Sequence, residues 1–495
     1  MKPTIPLTLS TITLSSLFVV FHVSASCPVD YPEEGMIKKH IEQVDIANGN
    51  ATLKEIREEG EYLFKAKFNI CDGQGRPATT GGGEKRVPDQ PAFIRTSSPE
   101  TNSCAGCHSQ PYPGGSGEFV VNAFLLAQRL DPVTESVSSN FSNERNTLGM
   151  HGAGAIEMLA REMTYDLRAQ AQLLQDGEHT LKSKGVEFDI IKENGQVIQA
   201  DGINTDLMVR PFNQSGNIST IRHFTIDAMN HHHGLQAEER FDLFEGKGFD
   251  SDHDEDGVER ELSIGDITAL SVYQASLPIP VQVLDKDPRK RRQVKWGESL
   301  FNEIGCSGCH TPSMTLEVPE FSEPSPLNAE HTYRDTSQSI TWDMTKEGPA
   351  PRLKRNKNGT ATVWAYTDLK RHNLCDDDSE PQAIRFYCNE TLDQDRPAQD
   401  GRLGSEFFIT RKLWDVGSSA PYGHRGDITT ITEAIVYHGG EGRKSRDNFI
   451  ALNVNDKRAI VNFLKSLQVI EERDVPKGKY ISRRDSNNTY SYGNY

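Results

Sequence analysis

Cys104-Ala105-Gly106-Cys107-His108 and Cys306-Ser307-Gly308-Cys309-His310 are two copies of one pattern, Cys-x-x-Cys-His. Two thiols at this spacing reach the two vinyl groups of one porphyrin and form thioethers with it, and the adjacent histidine falls beneath the iron as its proximal ligand. With eight cysteines and 15 histidines in 495 residues, chance supplies one such pattern with a probability on the order of 0.004. Two are not an accident. A thioredoxin-like redox pair or half of a zinc site is usually found without the trailing histidine. The sequence therefore predicts two covalently bound haems c, anchored by Cys104, Cys107, Cys306 and Cys309, with His108 and His310 as proximal ligands.

The flanks of the second site carry helical periodicity. Trp296, Leu300 and Ile304 recur at i, i+4 and i+8, and Gly305 ends that helix next to Cys306. Near the C-terminus Ile460, Phe463, Leu464 and Leu467 mark another amphipathic helix, opened by Asn455-Asp456. A first and a last helix on either side of Cys-x-x-Cys-His is how a class I cytochrome c domain looks. The two sites lie 202 residues apart, enough for one haem per domain. The expected architecture is mostly α, with two class I cytochrome c-like domains at 96–280 and 294–475 and long loops. Residues 26–95 read as an N-terminal extension packed on the first domain, and 476–495 as a loose polar tail. Residues 281–293 read as an irregular linker, because prolines and clustered charge disfavour regular structure there. An internal echo supports two copies of one module: Gly216-Asn-Ile218-Ser-Thr220-Ile221 resembles Gly426-Asp-Ile428-Thr-Thr430-Ile431.

Each echo opens a helix that delivers histidine. Thr430 and Glu433 form a capping box. Ile431, Ala434, Ile435 and His438 then lie at i, i+3, i+4 and i+7, so His438 points from an apolar face and is the candidate distal ligand of the second iron. In the first copy, Ile221, Phe224, Thr225 and Ala228 mark the corresponding face. At about 100° per residue, His232 returns to within about 20° of it, whereas His231 and His233 point to either side. His232 is the candidate for the first iron, with His231, His233 and the loop residue His151 as alternatives; a surface metal cluster is the other reading of three consecutive histidines.

The remaining features bound location and partners. Residues 1–25, with Lys2, an apolar run and Val23-Ser24-Ala25, read as a signal peptide, placing the mature protein in the periplasm or otherwise outside the cytoplasm with no integral membrane segment after cleavage. Acylation of Cys27 is the weaker alternative. Disulfides are then permitted, and Cys27–Cys71 and Cys375–Cys388 are plausible pairs. The formal charge of −17 argues against nucleic acid and suits a basic protein partner, or simply a solvated surface. A mean hydropathy of −0.59 with 40 glycines and 25 prolines indicates a loop-rich chain that fills its core with something besides side chains. Asp250-Ser-Asp252-His-Asp254-Glu-Asp256-Gly257 resembles the opening of a calcium loop, with Glu259 or Glu261 as further ligands; a solvated acidic loop is the alternative.

Taken together these residues resemble the bacterial dihaem cytochrome c peroxidase superfamily, and within it the dihaem oxidoreductase branch, over roughly 90–470. The most specific stretch is Leu413-Trp-Asp-Val416-Gly417, Ala420-Pro421-Tyr422-Gly-His424-Arg-Gly426, Thr432-Glu433-Ala434-Ile435 and His438-Gly-Gly-Glu441. Tyr366-Thr-Asp-Leu369-Lys-Arg-His372 and Asn230-His-His-His-Gly-Leu-Gln236 match too. The resemblance implies one haem for electron entry and one where peroxide or a related oxidant reacts, with a monohaem cytochrome c or cupredoxin as donor. Where the peroxidases place a methionine ligand this chain has His438, as in the oxidoreductase branch. The family's distal carboxylate has Glu157 as its candidate, an ordinary helix glutamate being the alternative. A non-enzymatic electron carrier with both irons six-coordinate is the competing function.

Overall fold

A computed structural model describes residues 32–74, 101–118, 120–123, 143–239, 258–329, 332–384, 407–484 and 490–492. The signal peptide, Cys27, Cys388 and the acidic stretch 250–257 lie outside the described residues. The expectation of a mostly α protein is overturned: 37% of the described residues are helical and 17% form strands, in several small sheets. Most of these strands have three to five residues and run antiparallel, too short for a period of two to emerge from a Gly- and Pro-rich loop. The exception is the sheet β3 (Gly177–Ser183), β4 (Val186–Glu193) and β5 (Gln196–Ala200). Its turns place Lys184-Gly185 and Asn194-Gly195 at positive φ, as a two-residue hairpin turn demands.

Two helix pairs frame the two halves. Helix α2 (Leu53–Lys65) opens with a capping box, Thr52 with Glu55, and crosses α6 (Ile264–Ala275) so closely that a Cβ on Gly60 would lie 1.9 Å from the Ala269 carbonyl oxygen. Helix α7 (Pro288–Glu303) crosses α10 (Val454–Lys465) the same way, with Gly297 against the Ala459 carbonyl at 1.9 Å. Residues assigned to an N-terminal extension therefore include the first helix of the first pair. The apolar clusters follow this plan. One gathers Leu63, Phe64, Ile226, Leu270 and Tyr273 around Cys104, and another gathers Leu300, Phe301, Ile431, Ile460 and Phe463 around Cys306. A third runs between the halves, from Ala153 and Leu159 to Phe321, Trp342 and Trp414.

Two further expectations are corrected. Residues 281–293 are regular: β6 (Val281–Asp285) leads into α7, whose start is made by the very features read as breakers. Asp287 caps the Arg289 amide at 2.8 Å and Pro288 sits at the first helical position, where its missing N–H has no partner to lose. The polar tail is not loose throughout, since β14 (Lys479–Arg484) pairs with β6. Cys71 and Cys375 are each disulfide-bonded, whereas Cys104, Cys107, Cys306 and Cys309 form no disulfide.

Candidate functional site

The two Cys-x-x-Cys-His segments have equivalent surroundings. His108 Nδ1 lies 3.2 Å from the Gly115 carbonyl and His310 Nδ1 3.2 Å from the Tyr366 carbonyl. A ring that donates from Nδ1 presents an unprotonated Nε2, the arrangement of a metal-ligating histidine. Burial holds both imidazoles down at about 4, so they are neutral in any ordinary buffer. Phe64 of α2 tilts on His108 at 6.3 Å and 47°, and Phe301 of α7 on His310 at 6.2 Å and 49°. Behind them stand Tyr273 of α6, 5.2 Å from Phe64, and Phe463 of α10, 5.5 Å from Phe301. Sequence reasoning missed this aromatic backing, although Gly60-Glu-Tyr-Leu-Phe64 and Gly297-Glu-Ser-Leu-Phe301 are one repeated motif.

On the second site the structure brings His438 to His310. Helix α8 (Ile431–Val436) begins at Thr430, whose hydroxyl accepts from the Glu433 amide at 3.1 Å. His438 lies two residues beyond its end, donating from Nδ1 to the Ala434 carbonyl at 2.8 Å, so Nε2 is the atom that could face a metal. The His310 and His438 ring centroids are 6.5 Å apart. Two imidazoles on opposite sides of one metal, each nitrogen about 2.0 Å from it, would have centroids about 6.3 Å apart. The residues fit a haem iron held between them.

The first site departs from this plan. The echo of the two copies is structural: the bridges Phe212 to Ile218 and Tyr422 to Ile428 are offset by 210 residues, and Thr220 caps α5 (Ile221–Ala228) as Thr430 caps α8. At that offset His438 corresponds to Ala228. Beyond Ala228 the helix widens into a π-turn, Met229–His233. Burial there recurs every four residues, at Ile221-Arg222, Thr225-Ile226, Met229-Asn230 and His233-Gly234, so a face extended at about 100° per residue drifts off it. His233, not His232, is the buried one. Its Nδ1 lies 2.8 Å from the Thr101 carbonyl and its Nε2 3.3 Å from Cys104 Sγ. His232 is half-buried, close enough for its charge to lower the pKa of both His108 and His233. His151 is fully buried, with its Nδ1 3.3 Å from the Pro278 carbonyl and its ring edge-on to Tyr112.

Glu157 is not placed for acid–base work. Its Oε1 is paired with Arg161 and its Oε2 accepts the Ile221 amide at 2.8 Å. Fully buried on α4 (Ala153–Leu173), it fixes the start of α5 and has no oxygen left for a substrate. Of the expected calcium ligands only Glu259 and Glu261 are described, and Glu261 Oε2 accepts the Gln236 amide at 2.8 Å. No helix of the described residues is long and apolar enough to cross a membrane.

Residues 354–467 match the family described as "di-haem oxidoreductase, putative peroxidase". No curated protein matches the chain. Among solved structures, the hydrazine synthase of Kuenenia stuttgartiensis is 12% identical at a TM-score of 0.36, over 94% of this chain and 100% of that one. A variant of the diheme peroxidase BthA from Burkholderia thailandensis is 13% identical at 0.35, over 90% and 93%. A MauG-like protein associated with microbial copper homeostasis is 14% identical at 0.25, over 65% and 90%. Likeness this loose fixes neither fold nor activity.

Proposed function

We propose, from the match of residues 354–467 to the di-haem oxidoreductase family, that the chain is an exported c-type dihaem oxidoreductase passing electrons from the second site to peroxide or a related oxidant at the first. Bound at these sites, haem supplies reversible one-electron chemistry and, where the sixth position is open, a place for an oxidant. The protein's part is attachment, orientation and exclusion of water. Cys104, Cys107, Cys306 and Cys309 supply the thioethers, and His108 and His310 offer Nε2 on rings fixed by main-chain carbonyls. Phe64 and Phe301 shut water from the proximal side. His438 closes the second site, and imidazole there in place of methionine lowers its potential.

The observation that carries the reading is the mismatch of the two copies. An enzyme needs one site that opens, and a carrier keeps both closed. Where the second copy has His438, the first has Ala228, whose methyl group cannot bind iron. The nearby His232 and His233 favour the second reading, a pure electron carrier, if either reaches the iron. They sit on a π-turn that continues α5, whereas His438 follows a regular α-helix, and π-turns are frequent at functional sites. The acidic surface suits a basic donor such as a small cytochrome c, and the stretch around Asp252 would hold calcium.

Stopped-flow mixing of half-reduced protein with peroxide tests the proposal. The Soret band should show a partly high-spin iron before mixing and consumption of peroxide after it, neither occurring with fully oxidised protein. Both irons low-spin throughout, with no spectral change, would leave the electron carrier.

A further inference from the structure

His372 stands between two carboxylates. Its Nε2 lies 2.9 Å from Asp368 Oδ2 and its Nδ1 2.7 Å from Glu441 Oε2, so each ring nitrogen donates a proton and the ring is a cation. The acids are themselves fixed: Asp368 Oδ1 accepts the Lys370 amide at 2.9 Å, and Glu441 Oε1 the Asn373 amide at 2.8 Å. Cys309 Sγ completes the cluster, the three groups Cys309, Asp368 and His372 lying within 4.8 Å of one another. A metal ion at this trio would need a free thiolate and an unprotonated imidazole. Thioether formation consumes the first, and the paired carboxylates preclude the second.

The arms of the cluster end on different parts of the second site. Asp368 lies two residues beyond Tyr366, whose carbonyl fixes the His310 ring. Glu441 lies in the turn Gly440–Gly442, and a Cβ on Gly442 would lie 3.0 Å from the His438 side chain. Between Tyr366 and His372 the chain is strained, with Tyr366 at φ 54° and Leu369 at φ 56°. Non-glycine residues keep such angles only where surrounding contacts impose them.

We infer that His372 is a positioning residue: gripped by Asp368 and Glu441 beside the Cys309 sulfur, it ties the segment behind His310 to the turn behind His438 and so holds both imidazoles on one axis. The inference rests on the reading of His438 as an axial ligand. A neutral side chain in place of His372 leaves two carboxylates facing each other, and their repulsion separates the two segments.

Low-temperature electron paramagnetic resonance of the fully ferric protein reads the consequence directly. The parent's second site should be low-spin, and His438→Ala should abolish that signal. His372→Gln should lose most of it to a high-spin signal, and Glu441→Gln a smaller part. If His438→Ala keeps the parent's low-spin signal, the ligand reading fails and the tie with it. If His438→Ala turns high-spin while His372→Gln and Glu441→Gln match the parent, the ligand stands and the tie is wrong. Should His372→Gln not fold, Glu441→Gln decides alone, since that side chain is 46% exposed.

Discussion

Glu323 has fewer partners than its burial requires. Its Oε1 accepts from Arg222 at 3.0 Å, while its Oε2 is buried with no hydrogen-bond partner. Around it stand Glu157, paired with Arg161, and Glu239, which shares Arg222 with Glu323. Burial first, and then the charge of Glu157, push the Glu323 carboxyl up to about 7 against the pull of both arginines. A carboxyl raised above its ordinary 4.5 contributes stability that is complete below that value and lost as pH rises through the folded one. Glu323→Gln should therefore gain on the parent between about pH 5 and pH 8 in urea unfolding. A difference that is the same at both pH values would show that Glu323 stays in one protonation state. None of this cluster was legible in the sequence, because its members come from α4, α5, β8 (Glu320–Glu323) and the segment near residue 239. The sequence around Glu157 shows Arg161 one helical turn on, but not the burial that pairs them or the start of α5 that Glu157 fixes.

At the scale of elements, the two helix crossings depend on a missing side chain. A Cβ on Gly297 would lie 1.9 Å from the Ala459 carbonyl and 2.9 Å from the Ile460 amide nitrogen, backbone atoms that cannot step aside as a rotamer can. Gly297→Ala must push α7 off α10, an overpacking that costs about 1–3 kcal/mol. Since α7 also carries Phe301 against His310, the spectrum of the second haem should change and that of the first should not; thermal melts with redox difference spectra read both. Unaltered melting would mean that the helices can slide. The helix α7 and its partner were legible from their apolar spacing, although Trp296 proves half-exposed and bonded to Asp456 at 2.8 Å. Helix α2 was not, for all its matching Gly-Glu-x-Leu-Phe, because 38 residues separate Lys65 from Cys104 where α7 runs almost directly into Cys306. The π-turn was equally hidden: a wider turn changes the angle per residue, and no residue type announces it.

Over the whole molecule, the halves are joined by side chains and main chain, in part beside the proximal histidines, since Lys412 is close enough to His108 for its charge to lower that imidazole's pKa. Lys412 donates to the Gly149 carbonyl at 2.8 Å, and Asn146 reaches the Pro421 carbonyl at 2.7 Å with its side chain and the His424 carbonyl at 2.8 Å with its amide. Trp414 lies so near Gly152 that a Cβ there would be 2.4 Å from the indole. One apolar cluster is shared from Ala153 to Trp414. Each haem site, by contrast, draws its helix pair and its backing phenylalanine from one side of this joint. Losing one haem should therefore spare the other. The parent should carry two haems per chain by pyridine haemochrome assay, and Cys306→Ala with Cys309→Ala should carry one. The remaining one should keep the main features of the first haem's redox spectrum, because Phe64 and Tyr273 behind His108 belong to the first half's own helix pair. A parent with a single haem would contradict the two-site reading at its root. Loss of both haems in the double variant would mean instead that the shared core needs the second haem in order to form, and that the joint is weaker than its contacts imply.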